Sequence, residues 1–283
     1  VRVMAALNGD AETDRARFVG GCVRNTILGQ PVDDIDIATV LTPDQVIEVG
    51  RMARLGVHPT GLAHGTVTLV CDGQPFEVTT LRRDIETDGR HAVVAFTDDW
   101  NADAARRDFR LNALYASADG TLYDPTGEGL ADARAGRVIF IGAPEDRIRE
   151  DVLRILRFFR FSAWYARGPL DEAGLAACGA LAAGLEQISV ERIWKETKKL
   201  LSAADPRAAL SGMARLGVME AMLPEFRIDT LSDARLEALV ETDLEAFFAP
   251  DPMLRLMALL PRDPGLVSAL ARRLQLSNAE RDR

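Results

Sequence analysis

A chain of 283 residues with 47% hydrophobic content is long enough to bury the cores of two domains, a compact one and a helical extension. Mean hydropathy is near zero, no apolar run of roughly 18 residues exists and no signal-like leader is present, so the expectation is a soluble, cytoplasmic protein that does not enter a membrane. Cys22, Cys71 and Cys178 are odd in number without CxxC spacing, and His58, His64 and His91 are scattered, which excludes a disulfide framework and a His-rich zinc site.

Residues 1–17 read as a short helix, in a chain whose lack of an initiating Met implies trimming. The stretch FVGGCVRNTILGQPVDDIDIAT, residues 18–39, reads as an apolar strand ending in Gly20-Gly21, a helix start carrying Arg24, and a second strand carrying Asp34-Ile35-Asp36. Successive strand side chains point to opposite faces, so Asp34 and Asp36 share one face while Ile35 and Ile37 enter a core. Two such carboxylates repel unless a cation lies between them, and hard divalent cations prefer oxygen ligands. The Gly-Gly turn lets backbone N–H groups approach an anion, at which the following helix aims its positive end. Each part alone is ordinarily bland, a turn or a solvated strand face. Their conjunction resembles the signature of the polymerase-β-type nucleotidyltransferases, in particular the bacterial class II CCA-adding tRNA nucleotidyltransferase and poly(A) polymerase family. Asp34 and Asp36 are then the candidate catalytic and metal-binding residues, and Gly20, Gly21 and Arg24 candidate nucleotide-binding residues.

Pro43 to Leu55 reads as a helix with Thr42 as N-cap and Pro43 at its first position. Two strand-like runs, 65–71 and 76–80, are joined by Asp72-Gly73, a hairpin signal. Glu77 alternates with Phe76 and Val78 and is either a third metal-facing carboxylate or a solvated strand position. Residues 82–104 read as mostly loop, and an uncovered segment of that length is usually functional or disordered. Arg106-Arg107-Asp108-Phe109 through Ala113 could be a surface charge run by itself. The resembled family carries RRDFTxNA here, with its second Arg contacting the nucleotide, which corresponds to Arg107. Tyr123 through Val138 resembles the family's connecting motif, with a structural role.

From Pro144 onward strand signals stop. Residues 145–166 read as one long helix, followed by helices near 172–184, 189–203, 206–216, 233–241, 252–260 and 266–274. Between Val152 and Phe161 nearly every residue other than arginine is apolar, so the helix is expected to be buried. Arg154, Arg157 and Arg160 recur inside it beside Asp151, and buried arginines need partners. Those partners are internal, such as Asp151 with Arg154, or a polyanionic ligand. EDVLRILRFFRF matches the family motif EDxLRxLRxxRF, whose Asp and first Arg read the incoming base. On a helical wheel Arg154 lies about 60° from Asp151, Arg157 about 120°, and Arg160 on the opposite side. Asp151 and Arg154 are therefore expected to face one base, Arg157 to assist, and Arg160 to serve phosphate, RNA or structure; all four are candidate nucleotide-binding residues.

The net charge of −9 weighs mildly against tight, nonspecific RNA binding. All lysines, however, lie between Lys195 and Lys199, and arginines cluster at 82–83, 106–110 and 147–160, so a local basic surface is expected. Segment 189–203, with Ser189 as N-cap and basic residues late in the helix, resembles the family's RNA-binding neck, although a solvated amphipathic helix would look much the same. Asn25 and Arg110 depart from the family's usual Asp and Thr. Ser277 and Glu280 form a capping-box pattern too close to the end for a stable helix, so a longer natural chain is expected beyond Arg283; the C-terminal part is also shorter than the family's.

The expected architecture is α+β: a polymerase-β-like nucleotidyltransferase domain with a small mixed sheet (1–143), then a helical neck (144–203) and a helical RNA-binding body (204–283). The resemblance implies template-independent addition of C, C and A to the tRNA 3′ end from CTP and ATP, with two Mg²⁺ ions and release of pyrophosphate. A poly(A) polymerase, an A-only or CC-only enzyme, and a non-catalytic RNA-binding relative are the alternatives. Asp88-Gly89-Arg90-His91 resembles full CCA-adders more than CC-adders, and oligomeric state is left open.

Overall fold

In the computed structural model, which describes residues 2–88, 91–223 and 234–281, every described strand lies in the first of two units, Val1–Gly142 and Ala143–Arg283. The first unit runs α1 (Arg2–Asn8), β1 (Ala16–Val19), α2 (Gly21–Leu28), β2 (Asp36–Thr39), α3 (Pro43–Met52), β3 (Gly56–Gly61), β4 (Thr66–Cys71) and β5 (Gln74–Thr80). It continues with β6 (Arg82–Asp88), β7 (His91–Phe96), α4 (Trp100–Ala105), β8 (Tyr115–Ala116), β9 (Leu122–Tyr123) and α5 (Gly129–Ala135). Seven strands form one mixed sheet in the order β3-β4-β5-β2-β1-β8-β9, and β6 pairs with β7 alone. Only β2 and β5 run parallel; the other described pairs are antiparallel.

β2 is central and covered on both faces. Ile37 joins Val3, Leu7, Val46, Leu69 and Val78 in one core, while the next residue, Ala38, joins Val19, Leu81, Ala113 and Tyr115 in another, as the two-residue period requires. Helix α3 starts as expected: Gln45 N–H donates to Thr42 Oγ1 and Gln45 Oε1 accepts from Thr42 N–H at 2.9 Å, a reciprocal capping box. The β4–β5 turn places Asp72 and Gly73 at φ 51° and 80°, the paired positive angles of a two-residue hairpin.

Residues 82–104 are not mostly loop but a hairpin, β6–β7, followed by α4, whose N-cap Asp99 accepts from Asn101 N–H at 2.8 Å. The charged run RRDIETD hides the first strand from a hydrophobic period; its β-prone partner HAVVAF supplies the ladder. Gly89 and Arg90, the middle of the 88–91 reading, lie outside the described residues. Asp34 precedes β2 rather than lying in it, although Glu77 N–H reaches the Ile35 carbonyl at 3.0 Å and carries the β2–β5 ladder one residue back.

Residues 145–166, expected as one helix, form two, α6 (Pro144–Glu150) and α7 (Arg154–Tyr165). Asp151 is extended at φ −152° and ψ 105°. Its carboxylate accepts from Leu153 N–H at 3.1 Å and its carbonyl from Arg154 N–H at 2.9 Å. Asp competes for nearby backbone donors in this way and so ends one helix and begins another. The wheel angles drawn from Asp151 therefore do not apply.

The second unit continues through α8 (Glu172–Ala180), α9 (Val190–Leu201), α10 (Arg207–Arg215), α11 (Val218–Met222), α12 (Ala234–Ala246), α13 (Pro252–Ala258), α14 (Pro264–Arg273) and α15 (Asn278–Arg281). Ser189 occupies the N-cap position of α9 without a side-chain capping bond. The Ser277–Glu280 capping box forms, and Glu280 also pairs with Lys198 at 2.6 Å, which ties one short helical turn to α9. No described helix is long and apolar enough to cross a membrane.

Arg255 on α13 is 1% exposed. It donates to the Leu201 carbonyl at 2.9 Å, to Ala203, to Ala204 at 3.1 Å and to Asp243 at 2.8 Å. It thus satisfies carbonyls left orphaned where α9 ends, beside the favourable negative end of that helix. Arg255→Ala should destabilise the protein by about 3 kcal/mol, because Asp243 and those carbonyls lose a buried partner. Urea unfolding measures it; a loss under about 1 kcal/mol would show that water replaces the guanidinium.

Candidate active site

Gly20 closes β1 at φ 71° and ψ −122°, a backbone that strains any residue with a Cβ. Its N–H bonds the Leu114 carbonyl at 3.1 Å. A Cβ on Gly20 would lie 3.7 Å from Arg107 Nη1, and one on Gly21 would lie 3.8 Å from Arg24 Nη2. Two guanidinium groups therefore flank the Gly20-Gly21 turn, at the N-terminus of α2, where a helix already favours an anion.

Each cation is held by its own network. Arg24, 6% exposed, donates to Asn25 Oδ1 through Nε and Nη2 at 3.1 and 2.9 Å, and to Asn112 Oδ1 through Nη1. Asn25 donates onward to the Pro31 carbonyl at 2.7 Å, and Asn112 to Asp108 at 3.1 Å. Asn25 thus supplies the acceptor a carboxylate would offer and adds a donor that a carboxylate lacks. Arg107 donates to Asp103 Oδ2 at 3.0 Å and to the Tyr115 hydroxyl at 3.2 Å, while that hydroxyl donates to Asp103 at 2.8 Å. Burial opposes the Arg107 charge, but Tyr115 and Asp103 outweigh it and lift its pKa above the ordinary value. Burial also pushes the Asp103 carboxyl up, yet Arg107 and Arg106 hold it below the usual carboxylate range. Arg107 is consequently a permanent, oriented cation. Asp103, Tyr115 and Asn112 were not singled out from sequence; the spacing of Asp103 four residues before Arg107 and the Asn of the RRDFRLNA run were the available signals. Arg110, the other departure, pairs with Glu128 and lies 3.6 Å from Asp132, a structural tie to α5.

Asp36 and Glu77 lie on adjacent strands, with Asp34 just before the first of them. Asp36 pairs in register with Glu77 across the parallel β2–β5 ladder, so both side chains leave the same face. Asp36 is half-buried and Asp34 exposed. Burial first, then Glu77 and Asp34, raise the Asp36 pKa, with Arg107 opposing. Negative charge is therefore crowded where cationic help is within electrostatic reach. Among the described residues no three His, Cys, Asp or Glu side chains form a cluster able to hold a metal ion by themselves. The donor set instead suits Mg²⁺, which is commonly held by one or two carboxylates and completed by substrate phosphates and water.

The remaining candidates lie in the second unit and do not form the expected pair. Asp151 Oδ2 accepts from Arg192 at 2.8 Å. Arg154 donates to Glu150 and to the Arg147 carbonyl at 2.9 Å. Arg160 Nε meets Glu196 at 2.6 Å, with its guanidinium 4.3 Å from the Phe161 ring centroid, and Arg157 lies 4.0 Å from Glu196. Internal ion pairing is present, with Glu150, Glu196 and Arg192 in the roles that sequence had given to Asp151 and Arg154. Glu196 lies beyond any local spacing rule, since it comes from α9.

Residues 16–139 match the family described as "Poly A polymerase head domain", and residues 169–229 match "Probable RNA and SrmB- binding site of polymerase A". Over 279 residues the chain is 39% identical to the mitochondrial CCA tRNA nucleotidyltransferase 1 of Mus musculus, a match covering 96% of this chain and 62% of that protein. It is 36% identical over 238 residues to the CCA-adding enzyme of Levilactobacillus brevis, covering 82% of this chain and 58% of the relative. The chain thus spans about three fifths of the length of these relatives. Among solved structures, the Bacillus stearothermophilus CCA-adding enzyme in complex with CTP superposes with a TM-score of 0.68 at 30% identity, covering 95% of this chain and 68% of that one. A tRNA nucleotidyltransferase complexed with a primer tRNA and an incoming ATP analog shares the fold, with a TM-score of 0.76 at 24% identity and coverage of 95% and 78%.

Proposed function

The chain belongs to the family of CCA-adding enzymes and poly(A) polymerases, and from that membership we propose that it adds C, C and A to tRNA 3′ ends from CTP and ATP, without a nucleic-acid template and with release of pyrophosphate. The observation that carries the reading is the Gly20-Gly21 turn between the Arg24 and Arg107 guanidinium groups, combined with carboxylates in register on β2 and β5. Backbone N–H groups at the start of α2, from Gly21 onward, together with Arg24 and Arg107 bind the triphosphate, and the Asp103–Tyr115 anchor keeps Arg107 aimed without reorganisation during reaction. Asp34 and Asp36, with Glu77 as a further donor, would hold two Mg²⁺ ions, which supply activation of the attacking 3′-hydroxyl and neutralisation of the leaving pyrophosphate. Asp151 and Arg154 read the base edge, Arg157 assists, and Arg160 keeps its structural tie to Glu196.

Incubation with tRNA lacking CCA, Mg²⁺ and each nucleoside triphosphate singly and together, followed by sequencing of the ends, tests this. Addition that stops after C-C-A is the expected product. A long A tail from ATP alone would make the protein a poly(A) polymerase, a stop after CC or a single A a partial adder, and no incorporation a non-catalytic relative.

A further inference from the structure

Helices α7 and α9 lie side by side and in the same direction within the second unit. Asp151, just before α7, meets Arg192; Arg160 meets Glu196 at 2.6 Å; Trp164 Nε1–H donates to the Lys199 carbonyl at 2.7 Å. Each successive contact is further along both helices. On α9, Arg192, Lys195 and Lys199 are exposed, and their i, i+3, i+7 spacing confines them to an arc of about 60°. On α7 the same spacing carries Arg157, Arg160 and Trp164. A basic seam thus runs for about 10 Å of α9, roughly the axial span of two or three successive phosphates on one strand.

Two observations single the seam out from an ordinary solvated helix face. Its charges press on one another: burial and then Arg160 push the Lys199 pKa below its ordinary value, Lys195 and Arg157 adding to the effect and Glu196 opposing it. Its far end is closed by Trp164, 43% exposed, whose ring orientation is fixed by the indole N–H bond to α9. A fixed, exposed indole offers a sequence-tolerant face on which an unpaired base can stack. Arg192, Lys195 and Lys199 lie inside residues 169–229, the segment matched to an RNA-binding family, whereas Trp164 lies outside it.

We propose that the α7–α9 seam seats an unpaired RNA strand, with successive phosphates on Lys195 and Lys199 and one base stacked on Trp164. The proposal rests on the reading of the protein as an RNA nucleotidyltransferase and names where the single-stranded end of that RNA is held. The strand begins beside Asp151, the base-reading candidate, and leaves over Trp164. Aromatic stacking interleaved with cations is the usual means of holding single strands, whereas a duplex buries its bases and has none to offer an indole.

The test uses the full chain and measures equilibrium binding of a short unstructured oligoribonucleotide, a blunt RNA duplex and CTP. Trp164→Ala should weaken oligoribonucleotide binding about tenfold, with duplex and CTP affinities unchanged, and Trp164→Phe, which keeps an aromatic face, should stay within about threefold of wild type. The Lys195→Ala/Lys199→Ala double variant should lower the slope of log affinity against log salt by roughly 1.4, two phosphates' worth for a single strand. Equal oligoribonucleotide affinity in wild type and Trp164→Ala, or an equal loss for the duplex, would overturn the proposal, as would a wild type that does not bind the oligoribonucleotide. Failure of the enzymatic reading shows differently, as oligoribonucleotide binding that depends on Trp164 without nucleotide incorporation into tRNA.

Discussion

Asp36→Asn is expected to reduce nucleotide transfer by more than about two orders of magnitude while leaving the melting temperature of the metal-free protein at or above that of wild type. The two halves of this expectation have one cause. Asp36 is half-buried, in register with Glu77 and two residues from Asp34. Its raised pKa, driven by burial and then by Glu77, means that the folded protein disfavours the Asp36 charge even with Arg107 nearby. A side chain retained against the stability of the fold is the mark of a functional position. The amide removes the charge at nearly constant shape, so the strand loses repulsion and keeps its packing, while the oxygen needed by a divalent cation loses its charge. Added Mg²⁺ should accordingly raise the melting temperature of wild type and have little effect on Asp36→Asn. The two measurements are a thermal melt with and without Mg²⁺ and CTP incorporation into tRNA. Near-normal transfer by the variant would remove Asp36 from the chemistry, and a melt several degrees below wild type without metal would make its carboxylate structural.

Arg154→Ala should relax base choice as well as slow CTP and ATP use. Cytosine and adenine both present an amine donor next to a ring-nitrogen acceptor, and uracil and guanine present the reverse order. Asp151 can only accept and Arg154 can only donate, so together they match the first pattern and oppose the second. A mismatched base leaves buried polar groups unpaired, at about 1–3 kcal/mol each, which is the discrimination lost when Arg154 is removed. In the free protein Asp151 is engaged by Arg192 and Arg154 by Glu150, so base reading requires both partners to be exchanged. The variant is expected to fold, because Glu150 keeps its bridge to Arg147. The measurement is the ratio of kcat/KM for CTP over UTP in wild type and variant, expected to fall at least about tenfold. An unchanged ratio with both rates falling together would assign Arg154 to structure.

What was legible in the sequence is what depends on near neighbours along the chain. The Gly20-Gly21 turn, the core-facing Ile37, the Thr42 cap and the Asp72-Gly73 hairpin follow from backbone angles and side-chain periods that act over a few residues. The family resemblance rested on such short motifs and led to the family that the comparisons support. Wherever a helical period was extended through a residue that prefers its own backbone bonds, the reading failed: Asp151 breaks 145–166 because its carboxylate takes the Leu153 N–H. The β6–β7 hairpin was missed for a related reason, since a strand of charged residues is stabilised by its partner and not by its own pattern. Asp103 and Tyr115 around Arg107, Asn112 against Arg24, Glu196 against Arg160, and Arg255 at the end of α9 were settled only by tertiary structure. Sequence announces that buried guanidinium groups need partners, because an unpaired buried charge is so unfavourable. Which carboxylate or carbonyl answers depends on helices and strands brought together from distant parts of the chain, and only packing determines that.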